Sequence, residues 1–142
     1  MNKVLFYTKR FFIYAATWFI LLVSKILVKI FHLKRLQWLI GKPQKKVEKK
    51  PLSIEQKRKA RKTGKHINKV SRYVFWSSVC LDQAIAAAII LRLLNIDFYL
   101  HLGLSRSENL KAHAWVTTND LIITGHHTKD DFTEISIFTP KT

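Results

Sequence analysis

Cysteine is nearly missing. The one thiol, Cys80, excludes an internal disulfide and leaves too few sulfur ligands for a Cys-rich zinc site. Acid is scarce and unevenly placed. No Asp or Glu precedes Glu48; residues 1–72 carry 20 Lys and Arg against 2 acidic residues, net +18, whereas residues 73–142 carry 5 against 7, net −2. A basic front is thus set apart from a near-neutral back. There is no internal repeat and no low-complexity tract beyond a Lys-rich connector at residues 42–50. What the chain does have is apolar side chains, 48% against 24% charged, a balance that supports a packed core and excludes disorder throughout; 142 residues allow one domain.

Residues 5–31, LFYTKRFFIYAATWFILLVSKILVKIF, contain no Gly or Pro and read as one helix of about 40 Å. Arg10, Tyr14, Thr17, Ser24 and Lys25 make a narrow polar stripe, and the rest of the surface is apolar apart from Thr8, Lys9 and Lys29, so the helix is expected to bury most of its circumference. Its uncharged stretch, residues 11–24, spans about 21 Å as a helix against a hydrocarbon core of about 30 Å. An interfacial or partner-docked helix therefore stands beside a spanning one. No small-residue cleavage site follows the apolar run, so the segment does not read as a removable signal peptide.

A short amphipathic piece from residue 33 stops at Gly41 and Pro43, which makes residues 1–50 a helical lead-in with a Lys-rich connector and residues 51–142 the domain proper. A helix begins at Ser53, with Gln56 at capping-box spacing and Ile54, Ile67, Val70 and Val74 thinly spread among Lys and Arg. That pattern is a solvated basic face rather than a nucleic-acid patch. Ser77 and Ser78 lead into VCLDQAIAAAIILRLL, a buried helix over residues 79–94 with Asn95 as its left-handed cap. Residues 97–104 alternate as a strand; residues 112–118, Asn119-Asp120 and LIIT form a hairpin. Helices followed by a small antiparallel sheet make an α+β chain.

Cys80 falls in the first turn of the buried helix, where free N–H groups and the positive dipole end favour a thiolate. Those N–H groups, that of Cys80 included, would hold the oxyanion of a tetrahedral intermediate, with Gln83 one turn on as a side-chain donor. Asp82 opposes the thiolate by its charge. By itself a lone cysteine in an Ala/Ile-rich helix is more often an inert buried residue, and a lone strand histidine is a half-buried one. His113 changes the weighting, because an imidazole on a rigid strand facing a helix-start thiol is the nucleophile and base pair of a cysteine peptidase. His113, Trp115 and Thr117 share a strand face, and a two-residue turn pairs 118 with 121 and 113 with 126, putting Thr124 and His126 on that face too.

The strings CLDQAIAAAIILRLLNIDFYLHLGL and KAHAWVTTNDLIITG resemble the transglutaminase-like leader peptidases of lasso-peptide biosynthesis, with their Cys-Leu-x-x-Ala, Leu-x-x-Gly and Ala-His-Ala-Trp-Val. The resemblance covers about residues 70–125, with Asn95 where that family usually has Gly. It implies a small transglutaminase/papain-like core of one buried helix on an antiparallel sheet, Cys80 as nucleophile and His113 as general base and acid. It implies no metal and no cofactor. Some members place a triad Asp twelve residues after the histidine, and here that position is Gly125. Asp120 lies in the turn, Asp130 and Asp131 beyond the strand, and Thr124 or His126 are left to orient His113, or a dyad suffices.

The expected function is a bacterial, cytoplasmic hydrolase that removes the leader peptide from a ribosomally made precursor. The resemblance implies a separate leader-recognition protein and an ATP-dependent cyclase as partners, with membrane contact through residues 5–31 open and no nucleic acid. A second reading is a non-enzymatic basic membrane-associated or nucleic-acid-binding protein, motivated by the +18 front. Against its nucleic-acid form, aromatics are not interleaved among the cations of residues 42–72. A third gathers Cys80, His101, His113, His126 and His127 as metal ligands, although adjacent strand residues point to opposite faces.

Overall fold

The computed structural model describes residues 2–76, 80–105, 112–119, 121–125 and 132–140. Its order is α1 (Lys3–Ile30), a 3₁₀ turn (Leu33–Leu36), α2 (Gln37–Ile40), β1 (Lys42–Gln44), α3 (Ile54–Ser71), α4 (Cys80–Leu93), β2 (Tyr99–Ser105), β3 (Ala112–Thr118), β4 (Leu121–Thr124) and β5 (Phe132–Thr139). The chain is α+β, as its pattern implied: the strands form one antiparallel sheet in the order β1-β5-β2-β3-β4.

Local chemistry accounts for the helix ends. Ser53 accepts from the backbone N–H of Gln56 at 3.1 Å while the Gln56 side chain accepts from the Ser53 backbone N–H at 3.0 Å, a complete capping box. Asn95 is left-handed at φ 58°, its N–H donates to Arg92 and that of Ile96 to Leu91. This is a Schellman closure, sealed by the buried pair Leu91 and Ile96. In α4, Ala84, Ile85, Ala86, Ala87 and Ala88 are all fully buried. A helix apolar all round must be enclosed, and α1 and α3 pack against it on one side, β3 and β4 on the other.

Two strands leave little mark in the residue pattern. β1 lies in the Lys-rich connector, and β5, which separates β1 from β2, has an irregular pattern because a bulge at Leu102/Gly103 breaks its register and leaves Ile135 57% exposed. The lead-in also joins the common core, contributing Leu21, Leu36, Leu39 and Ile40. In α3 the buried face is made by small residues, Ala60, Thr63 and Gly64, together with Ile67 and Val70, whereas Ile54 is 89% exposed.

The first helix departs most from expectation. Its docked face is mixed: Thr17 and Ser24 are buried with Leu21 between them, while Trp18, Ile20, Leu27 and Val28 pack partly against the core, and the two hydroxyls donate to the Ile13 and Ile20 carbonyls at 2.8 and 2.7 Å. The rest of the apolar circumference stays outside, with Phe11, Phe12 and Phe19 exposed, so the helix does not bury most of its surface. A docked stripe of small hydroxyl residues lets α1 approach α3 and α4 closely, and self-bonding to the preceding turn satisfies each hydroxyl.

Candidate active site

Cys80 opens α4 as a half-buried free thiol, with Gln83 half-buried one turn later; Ser77, Ser78 and Val79, expected to lead into the helix, lie outside the described residues. Next to the thiol lies a charge pair that the residue pattern does not reveal. Asp82 is fully buried, and its Oδ2 lies 3.3 Å from Nζ of Lys25, which reaches in from α1. The cation balances a carboxylate set beside the helix mouth.

His113 is the second residue of β3 and pairs with Gly103 of β2. Leu100, Ala114, Val116, Ile123 and Phe138 point into the helix-covered core, so the alternate residues His101, Gly103, His113, Trp115 and Thr117 lie on the opposite sheet face. This corrects the expectation that His113 faces the thiol across the helix–sheet interface. The chain order sets the two groups toward one end of the layers, since the short link 94–98 sends β2 back along α4 and brings its far end, paired with His113, toward the start of the helix.

A row of rings holds the imidazole. His113 stacks on Phe132 with centroids 4.8 Å apart and on Trp115 at 6.0 Å, and Trp115 stacks in turn on His101 at 5.2 Å, almost parallel. The indole lies across Gly103, where an added Cβ would come within 2.9 Å of the ring; this explains why glycine stands there opposite a tryptophan strand. His101 is fixed at both nitrogens, by the Glu134 carboxylate and by Thr117 Oγ1 at 2.8 Å. Among the described residues His, Cys, Asp and Glu do not gather into a group of three around a point that could hold a metal.

The hairpin has the expected turn, Thr118 pairing with Leu121 and Asn119 left-handed at φ 50°, but a bulge at Val116/Thr117 then pairs Val116 with Thr124. Thr124 is therefore turned to the core face and buried, which removes it as the group that orients His113. The shift brings Gly125 into that role. His113 hydrogen-bonds to the Gly125 backbone, and the bond raises the ring's pKa, the sign of a carbonyl acceptor. Burial, the larger effect, pushes the pKa below its ordinary 6.5 and so favours the uncharged ring. Gly125 sits at φ +81°, and a Cβ there would lie 2.6 Å from Trp115 Cβ and 3.1 Å from His113 Nε2. Asp120, His126, His127, Asp130 and Asp131 lie outside the described residues.

A helix carrying a cysteine at its start, layered on an antiparallel sheet that carries a held histidine, is the architecture of cysteine peptidases and acyl transferases. A family profile, Transglutaminase-like superfamily, matches residues 27–137, and the chain belongs to that superfamily. No curated protein and no solved structure matches it.

Proposed function

We propose that the chain is a cysteine peptidase that removes the leader from a ribosomally synthesised lasso-peptide precursor. What supports the reading is the family match over residues 27–137 together with Cys80 as a half-buried thiol opening α4 and His113 held on β3 by the Gly125 backbone. With one ring nitrogen committed to the Gly125 carbonyl, the other is left to take the thiol proton, a step that requires the sulfur to come within hydrogen-bond reach of the ring at the edge of the sheet. The thiolate adds to the scissile carbonyl, and the oxyanion is met by the Cys80 N–H and Gln83. His113 returns the proton to the departing amine, leaving a thioester that water, deprotonated by the same ring, hydrolyses. The backbone carbonyl replaces the carboxylate of a triad: it fixes the tautomer but adds no negative charge, which leaves a dyad in chemical terms.

The lasso-peptide specificity rests on the sequence resemblance, as do a leader-recognition protein and an ATP-dependent cyclase as partners and a cytoplasmic location. The test is co-expression of precursor, recognition protein and this chain, with leader removal followed by mass spectrometry. Cys80→Ala and His113→Ala are each expected to abolish cleavage, and intact cleavage by either would falsify the assignment. Asp120→Asn is expected to have little effect; a loss matching Cys80→Ala would show a triad carboxylate in the turn.

A further inference from the structure

The outer face of α1 carries an apolar stripe from end to end. Leu5, Phe12, Phe19, Val23, Ile26 and Ile30 lie on the side opposite the docked residues Thr17, Leu21 and Ser24, with Phe12 65%, Phe19 60% and Ile30 66% exposed. No charged residue falls within that stripe. Cations border it on both sides: Lys59 and Lys62 of α3 line a groove with Ala16 and Ile20, and Lys69 lines a second groove, of about 470 Å³, with Phe11 and Ala15. We propose that this face is a monotopic membrane anchor, in which α1 lies flat in the interface of an anionic bilayer with its apolar stripe among the acyl chains and the flanking lysines on the headgroups.

Two observations choose this occupant. The first is charge. α1 contains no acid at all, and residues 1–72 carry net +18, so a second copy seated on this face would bring like charges together without complement, whereas anionic headgroups neutralise them. The second is how α1 is tied down. Lys25 pairs with buried Asp82, the Tyr14 hydroxyl is 3.4 Å from Lys69 Nζ, and the helix packs on α3 and α4. A helix with a charged domain along one side cannot have lipid all round it, so in this structure it lies on a bilayer rather than crossing one. Hydropathy and length would by themselves pass α1 as a membrane span; the docked stripe decides between the two geometries.

The full chain would be floated with vesicles of phosphatidylcholine alone and of phosphatidylcholine with phosphatidylglycerol. Binding is expected to the anionic vesicles, weakened by about tenfold or more in Phe12→Ser/Phe19→Ser and by several-fold in Lys59→Gln/Lys62→Gln, the latter loss shrinking at high salt. These side chains are exposed, so an unchanged circular dichroism melt shows that the fold survives. Alkaline carbonate is expected to strip the protein from vesicles. No binding to anionic vesicles, binding indifferent to Phe12→Ser/Phe19→Ser, or resistance to carbonate would each overturn the proposal, as would a dimer in lipid-free solution that Phe12→Ser/Phe19→Ser dissolves.

Discussion

Lys25, toward the end of α1, closes on the buried carboxylate of Asp82 at 3.3 Å, two residues past Cys80. A helix whose sequence left a spanning, an interfacial and a partner-docked placement open is thereby keyed to the mouth of the helix that carries the thiol. Lys25→Met takes the cation from a buried carboxylate and is expected to destabilise by about 2–4 kcal/mol, less than for a fully buried pair because Lys25 is 33% exposed. Urea unfolding measures it. The double change Lys25→Met/Asp82→Leu is expected to recover most of the loss, and equal destabilisation by the single and double variants would show that the pair does not hold α1.

Gly125 stands twelve residues after His113, where the resemblance to leader peptidases would put a carboxylate in some members, and adding that side chain is expected to harm rather than help. At φ +81°, with Trp115 Cβ 2.6 Å from where a β-carbon would stand, Gly125→Ala and Gly125→Asp should each cost about 2 kcal/mol or more and displace the His113 ring. Cleavage assays and thermal melts should fall together. A Gly125→Asp variant more active than the parent would mean that the backbone carbonyl is not the orienting group.

Stability should fall as solutions are acidified through the histidine range. His113 and His66 both have pKa values depressed below 6.5, His113 by burial and His66 by burial and then by Lys62, Arg10 and Lys69. The unfolded chain then binds protons that the folded chain resists, so stability is full above about 6.5 and is lost as pH drops through the folded values. Melting temperatures across pH 7.5 to 5 should decline, and His113→Gln should flatten the decline. An unchanged slope would remove His113 as a contributor. Leader cleavage should show an acid limb displaced below 6.5 for the same reason.

Asn95 occupies a left-handed position, φ 58°, that glycine adopts at lower cost. Asn95→Gly is expected to stabilise by about 0.5–1 kcal/mol without changing cleavage, and Asn95→Val to destabilise by more than that. Chemical denaturation of the three proteins orders them, and a Val variant as stable as the parent would contradict the closure at Leu91 and Ile96.

The elements set by short-range chemistry were legible in the order of residues. The capping box at Ser53, the left-handed end at Asn95, the α4 helix and the β3–β4 turn each depend on groups within a few positions of one another, and each formed where the pattern placed it. β5 was not legible, because its bulge erases the alternation that marks a strand. The orienting group for His113 was not legible either: one extra residue in β4 turns Thr124 inward and offers a backbone carbonyl that no side-chain pattern encodes.

The order of residues alone was enough for the helices, their caps, the hairpin turn and the two candidate groups, Cys80 and His113, since local hydrogen bonds and periodicity need only neighbours along the chain. It took the assembled layers to choose which side of α1 docks, to bring Lys25 to Asp82, and to set His113 on the sheet face opposite the helix-covered core. Those outcomes depend on strand register and on contacts between distant segments, where one shifted residue exchanges the two faces of a strand and a buried carboxylate must meet a cation from another helix.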